Sequence, residues 1–205
     1  MAAVTIDEIA IADAPKTWAA LGFAVDGDEL RLGTVRLRLA GRDAGRGILG
    51  WSLRGIGSAE LDGLPTTRSD RPPAERAPAH PNGIDRIDHV VAFSPDLDRT
   101  VAALQAAGLD LRRIREEPTP AGAPRQAFFR LGEEILEVIQ MPEVEDPSAP
   151  ARLWGLALVA WDLDATARRL GERASPVRDA VQPGRRILTL RRSAGLAIPV
   201  AVMSP

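Results

Sequence analysis

The chain is 205 residues long, 45% hydrophobic and 26% charged, with a formal net charge of −2. That is enough chain to bury a core in one or two domains, and it excludes wholesale disorder and fibrous repeats. The near-neutral charge sets up no field to draw the chain to nucleic acid or anionic lipid, and the absence of cysteine removes disulfide frameworks, thiolate metal sites and thiol nucleophiles.

From the amino terminus, Thr5–Ala12 reads as a strand, Ala14–Leu21 as a brief helix carrying Trp18 and Leu21, and Glu29–Leu32 and Thr34–Leu39 as strands alternating apolar with polar residues. Ile48–Leu53 reads as a further strand with no helix after it. Residues 1–56 are thus expected to form a degenerate N-terminal half. Residues 57–83, where Pro65, Pro72, Pro73, Pro78 and Pro81 break any period, are expected to be a linker or long loop.

After the linker, Ile87–Phe93 reads as a strand. A helix follows, with Ser94 as N-cap, Pro95 at the first helical position and an apolar face of Leu97, Val101 and Leu104, stopping at Gly108. Strands Arg125–Leu131 and Glu134–Gln140 come next, set off by breaks at Glu117–Pro124 and Pro142–Pro150. The pattern then repeats. Leu153–Val159 is a strand, Asp162-Leu163-Asp164 copies the helix opening Asp96-Leu97-Asp98, and Arg186–Arg191 and Leu196–Met203 are strands. The unit is βαβββ, present at 84–140 and 151–205, which are expected to pair within 84–205.

No phosphate-binding loop, dinucleotide fingerprint or nucleophile elbow occurs. From Met1 to Ala20 no basic-then-apolar leader is seen, and the longest uncharged apolar stretches, Leu153–Trp161 and Ala194–Met203, fall short of the roughly 20 residues of a membrane helix. A cytoplasmic chain without membrane or nucleic-acid partners is expected. All basic residues but Lys16 are arginine, and the pairs Arg112-Arg113, Arg168-Arg169 and Arg191-Arg192 read as solvated faces.

Ile87-Asp88-His89-Val90-Val91, the helix opening Pro95-Asp96-Leu97-Asp98, and Arg130-Leu131-Gly132 running into Ile135-Leu136-Glu137-Val138-Ile139 resemble the vicinal oxygen chelate superfamily of glyoxalases, bleomycin-resistance proteins and extradiol dioxygenases. The resemblance implies an α+β fold of repeated βαβββ modules forming a cup-shaped mixed sheet around a small molecule. It implies metal ligands at His89 and Glu137, with Glu137 also the candidate catalytic group. Glu8, at the place of His89 in the N-terminal copy, is the candidate third ligand.

An imidazole with carboxylates suits one divalent metal of the iron, manganese, nickel or zinc type. The second unit departs from this pattern, because Gly155 stands where His89 does and no His, Asp or Glu follows Asp179. No metal at all is therefore the equal alternative. His89 then reads as a core or groove histidine and Glu137 as the polar face of a half-buried strand.

Candidate ligand-binding residues are Arg125 and Gln126 at the head of a strand, Trp154, and Arg38. Arg38 replaces the acid of the N-terminal copy and is expected to grip a ligand carboxylate or pair with Glu8. Arg125-Gln126 and Gln182-Pro183-Gly184-Arg185 read either as donors at the rim of a cup or as solvated loops. Trp51, Trp154 and Trp161 read as pocket or core, and His80 as a turn residue.

The expected function is small-molecule binding in a β-cup with an incomplete metal site. The alternative is a metal-dependent lyase, isomerase or dioxygenase acting on vicinal oxygens. Pairing of open sheet edges makes a homodimer the expected assembly.

Overall fold

The computed structural model describes residues 3–117 and 124–205. Two open sheets share one continuous core. The first contains β1 (Thr5–Ile11), β2 (Glu29–Leu32), β3 (Val35–Leu39), β4 (Ile48–Arg54) and β5 (Thr66–Arg68), with the short helix α1 (Pro15–Ala19) after β1. Its strand order is β2-β3-β1-β4-β5.

The second sheet is built from two complete units. One is β6 (Ile84–Phe93), α2 (Leu97–Ala106), β7 (Asp110–Arg115), β8 (Arg125–Leu131) and β9 (Glu134–Gln140). The other is β10 (Arg152–Ala160), α3 (Leu163–Leu170), β11 (Arg178–Asp179), β12 (Arg186–Thr189) and β13 (Val200–Met203). Their order, β11-β12-β13-β10-β6-β9-β8-β7, is symmetric about the antiparallel β6–β10 pair, and in each unit the first strand lies parallel to the last. The result is an α+β fold of βαβββ modules with an open, cup-like mixed sheet.

The first sheet is a shortened copy of the second. β1 lies parallel to β3 as β6 lies parallel to β9, and antiparallel β4 carries parallel β5 as β10 carries β13. The copy extends to single residues. Trp51 donates its N–H to Pro65 O at 3.0 Å, and Leu156 donates to Pro199 O at 3.1 Å. In both places a glycine precedes the donor, because a Cβ on Gly50 or Gly155 would lie 2.8 or 2.6 Å from that proline oxygen.

Helices cover one face of the second sheet. Leu97, Val101 and Leu104 of α2 and Leu163 and Leu170 of α3 are buried, as are Ala127, Phe129, Leu136, Val138, Leu156 and Val202 on the strands. Each large apolar side chain so buried stabilises the fold by about 1.5–3 kcal/mol. The two sheets are tied by buried Asp13, which accepts from Trp18 Nε1 at 3.1 Å and from the backbone N–H of Ala197 at 3.0 Å. Asn82 adds a second tie, its amide donating to Leu21 O at 3.0 Å.

Several local expectations change. The cap of α2 is Asp96, whose carboxylate accepts from Arg99 N, while Ser94 Oγ accepts from Asp96 N and meets Thr100 Oγ1 at 2.6 Å. Asp96 wins because its extended backbone aims the carboxylate at the first free N–H groups, and Asp162 repeats this on α3. The proline-rich stretch 57–83 contributes β5 and buries Leu61, Leu64, His80 and Asn82. His80 Nδ1 accepts from Ala24 N at 3.1 Å, which anchors the turn rather than leaving it to solvent. The break expected at 117–124 lies almost wholly outside the described residues. Among the described residues no helix is long and apolar enough to cross a membrane, which leaves strand-built barrels unaddressed.

Candidate functional site

The face of the second sheet turned away from the helices carries the polar residues. Pairing sets them in rows across β6, β9 and β8: His89, Ile135 and Arg130; then Val91, Glu137 and Phe128; then Phe93, Ile139 and Gln126. Residues two apart on a strand share a face, so these side chains line one surface. His89 and Glu137 are diagonal neighbours in this array, within reach of each other's long side chains.

They meet. His89 Nε2 lies 3.3 Å from Glu137 Oε2, and Nδ1 lies 2.8 Å from Asp88 Oδ2. Glu137 Oε1 accepts from Gln126 Nε2 at 2.6 Å, and Asp88 Oδ1 accepts from Arg185 Nη2 at 2.7 Å. Arg185 is fixed in turn by donating Nε to Ser204 O at 2.8 Å. The result is one polar chain, Arg185–Asp88–His89–Glu137–Gln126, in which both ring nitrogens of His89 face carboxylates. Two such acceptors are satisfied together when both nitrogens carry protons.

Adjacent strand residues normally point to opposite faces, yet Asp88 and His89 touch. The cause is a bulge. Ile87 pairs with Leu158 and His89 with Ala157, so Asp88 is an extra residue without a partner and is re-aimed beside its neighbour. Burial alone would raise the pKa of Asp88, but the bonds from His89 and Arg185 outweigh it and hold the carboxyl down at about 2.

Aromatic and cationic groups surround the chain. Phe93 and Trp154 stack edge to face with centroids 5.1 Å apart, and the Arg152 and Arg113 guanidinium groups lie over Phe93 and Phe128, each at 5.1 Å. Beside Asp88 a cavity of about 500 Å³ opens between Ile135, Arg130, Arg185 and the Gln182–Gly184 turn.

The sequence-derived candidates divide as follows. His89, Glu137 and Gln126 are brought together, and Trp154 stands near Phe93 on the same sheet. Arg125 and Gln126, being adjacent, separate to opposite faces. Arg125 bonds Asp98 on α2 at 3.0 Å and Glu116 at 2.9 Å, which raises its pKa and occupies it away from His89. Glu8 and Arg38 sit on the first sheet, where Arg38 Nε donates to Glu8 Oε1 at 3.0 Å and Arg71 adds a contact at 3.5 Å. Glu8 is not brought to His89 or Glu137. Asp88 is the member that reading single residues passes over, although Ile6-Asp7-Glu8 and Ile87-Asp88-His89 repeat the signal.

The divalent metal that a site of this superfamily implies does not fit these donors. The first unit offers His89 Nε2 and Glu137. In the second unit Gly155 and Ala157 face Val91 and His89, and Ala201 lies beside Ala157, none with a donor side chain. Gly155 has no room for one, given the Pro199 oxygen. Among the described residues no three His, Cys, Asp or Glu gather to hold an ion, and two donors hold a metal poorly.

Among solved structures, methylmalonyl-CoA epimerase from Mycobacterium tuberculosis is 20% identical with a TM-score of 0.49, over 60% of this chain and 89% of that one. A hypothetical protein from Bacillus halodurans C-125 is 13% identical with a TM-score of 0.48, over 58% and 94%. A Streptomyces coelicolor methylmalonyl-CoA epimerase variant in complex with 2-nitronate-propionyl-CoA is 20% identical with a TM-score of 0.47, over 59% and 97%. Likeness at this level carries no argument about activity, and no curated protein matches the chain. The family model for the Glyoxalase/Bleomycin resistance protein/Dioxygenase superfamily matches residues 86–197, which run from β6 of the first complete unit to just before β13 of the second. The chain belongs to that superfamily.

Proposed function

We propose that the open face of the eight-stranded sheet binds a small organic molecule with hydrogen-bond donors, without a metal. One observation carries this reading. Gln126 Oε1 is buried and, among the described residues, has no hydrogen-bond partner, while the amide nitrogen of the same side chain holds Glu137. An unmet buried acceptor costs roughly 1–3 kcal/mol, and a ligand hydroxyl or amine reaching it removes that cost. Glu137 supplies a second acceptor alongside, and is the group on this face that would take a proton from a bound hydroxyl. Phe93, Phe128 and Trp154 supply apolar surface for the ligand body.

A second reading, a metal-dependent lyase, isomerase or dioxygenase, is favoured by one feature. Asp88 on Nδ1 orients His89 as outer-sphere carboxylates orient metal-bound histidines.

Catechol, with two adjacent hydroxyl donors on an aromatic ring, is the matched probe. Tryptophan fluorescence titration is expected to show saturable catechol binding that is unchanged by EDTA and weakened at least about tenfold by Glu137→Ala, the loss of about 1.4 kcal/mol. Binding that appears only with added zinc, nickel or manganese favours the second reading. No saturable binding under either condition overturns both.

A further inference from the structure

We propose that the end of the molecule formed by α3 and the two short turns after it and before β13 is a separate binding site for a dianionic oxyanion, such as the phosphate of a phosphate monoester. An open cavity of about 710 Å³ lies there, walled by Arg169, Leu170, Glu172, Arg173, Arg191 and Ser193. It shares no lining residue with the cavity beside Asp88.

The charges define what it takes. Arg169, Arg173 and Arg191 have no carboxylate within 4.0 Å among the described residues, although ion pairs neutralise Arg36, Arg54, Arg99, Arg125 and Arg185 elsewhere in the chain. Three guanidinium groups and the one carboxylate of Glu172 leave two uncompensated positive charges facing one space. A chain of net charge −2 gains nothing in stability from gathering like charges, and an anion between them removes the repulsion.

Two of the three arginines are positioned by neutral acceptors, which fix them without cancelling their charge. Arg191 Nε donates to Ala174 O at 2.9 Å and its backbone N–H to Arg173 O at 2.7 Å. Arg173 Nη1 donates to Ala20 O. Each keeps further N–H groups for bidentate contact with a phosphate, Arg169 is unengaged among the described residues, and the Ser193 hydroxyl stands on the same wall. Arg169 and Arg191, one from each of two doublets that read as solvated faces in the sequence, are thus drawn to one place by the fold.

Calorimetric titration of the full chain at low ionic strength with inorganic phosphate and with phenyl phosphate tests this. The expected result is saturable one-to-one binding with Kd below about 1 mM, weakened at least about tenfold by Arg169→Gln and by Arg191→Gln and unchanged by Arg112→Gln on β7. Arg169 bonds no other side chain or backbone group among the described residues, so its variant reports the site without disturbing the fold. Binding of both probes assigns the site to phosphate itself, and binding of phenyl phosphate alone assigns it to an ester. Absence of saturable heat with either probe, or equal affinity in wild type and Arg169→Gln, overturns the proposal.

Discussion

Asp7 and Asp88 hold the same place in two sheets. Each is the extra residue of a bulge in the first strand of its unit, since Ile6 pairs with Leu53 and Glu8 with Ser52 just as Ile87 pairs with Leu158 and His89 with Ala157. Each is bound by arginine, Asp7 by Arg36 and Arg54 and Asp88 by Arg185. The next residue differs. In the first sheet it is Glu8, closed by an ion pair with Arg38; in the second it is His89, left facing Glu137. One backbone device therefore supports a neutralised pair in one copy and the candidate site in the other.

The Asp88 carboxyl is held at about 2 against an ordinary value of 3.8. A depressed carboxyl adds stability that is complete above the unfolded value and is lost as pH falls from there through about 2. The size is on the order of 2 kcal/mol, at 1.36 kcal/mol per pH unit. Urea unfolding of Asp88→Asn is expected to show that loss at pH 6 and a shrinking difference from wild type below pH 4. A difference independent of pH contradicts the ion-paired assignment.

Glu134 behaves oppositely. Burial pushes its carboxyl up to about 7 from 4.5, against a weaker opposing bond from its own backbone, with Glu133 adding to the rise and Arg130 and Arg76 opposing it. A raised carboxyl leaves stability intact below the unfolded value and removes it as pH climbs through about 7, by about 3 kcal/mol. Glu134→Gln is expected to be more stable than wild type at pH 8 and equal to it near pH 4, as read by denaturant midpoints.

Gly155→Ala forces the Pro199 carbonyl to move, because the new Cβ would sit 2.6 Å from its oxygen. Thermal and urea unfolding are expected to show a loss of about 1–3 kcal/mol, the usual cost of overpacking. Gly50→Ala, at 2.8 Å from Pro65 O, is expected to behave alike. A neutral Gly155→Ala means that a ligand residue can be accommodated at this position after all.

Glu8→Gln breaks an ion pair whose arginine is about half exposed, so a loss of at most about 1 kcal/mol is expected. Catechol affinity is expected to stay at the wild-type value. A tenfold fall connects Glu8 to His89 and Glu137 and contradicts their separation on two sheets.

The repeats were legible because hydrophobic alternation and the Asp-Leu-Asp helix opening recur in order, and local pattern is enough to reveal them. His89 and Glu137 were legible through the resemblance alone. Their meeting depends on strand register, and the contact of Asp88 with His89 depends on a bulge, which shifts pairing without altering composition. Arg185 reaches Asp88 from a distant turn, a contact that only the closed sheet creates. The split of Arg125 from Gln126 followed from alternation and was available in principle. The strand Thr66–Arg68 was hidden by surrounding prolines, because an edge strand needs few donors and tolerates them nearby.

The central claim is that His89 and Glu137 form a polar pair on a ligand-binding face and not half of a metal centre. Elemental analysis of protein purified without chelator addresses it most directly, alongside His89→Ala and Glu137→Ala. The expected result is no stoichiometric iron, manganese, nickel or zinc in any of the three. One equivalent of metal in the wild type, lost in both variants, contradicts the account.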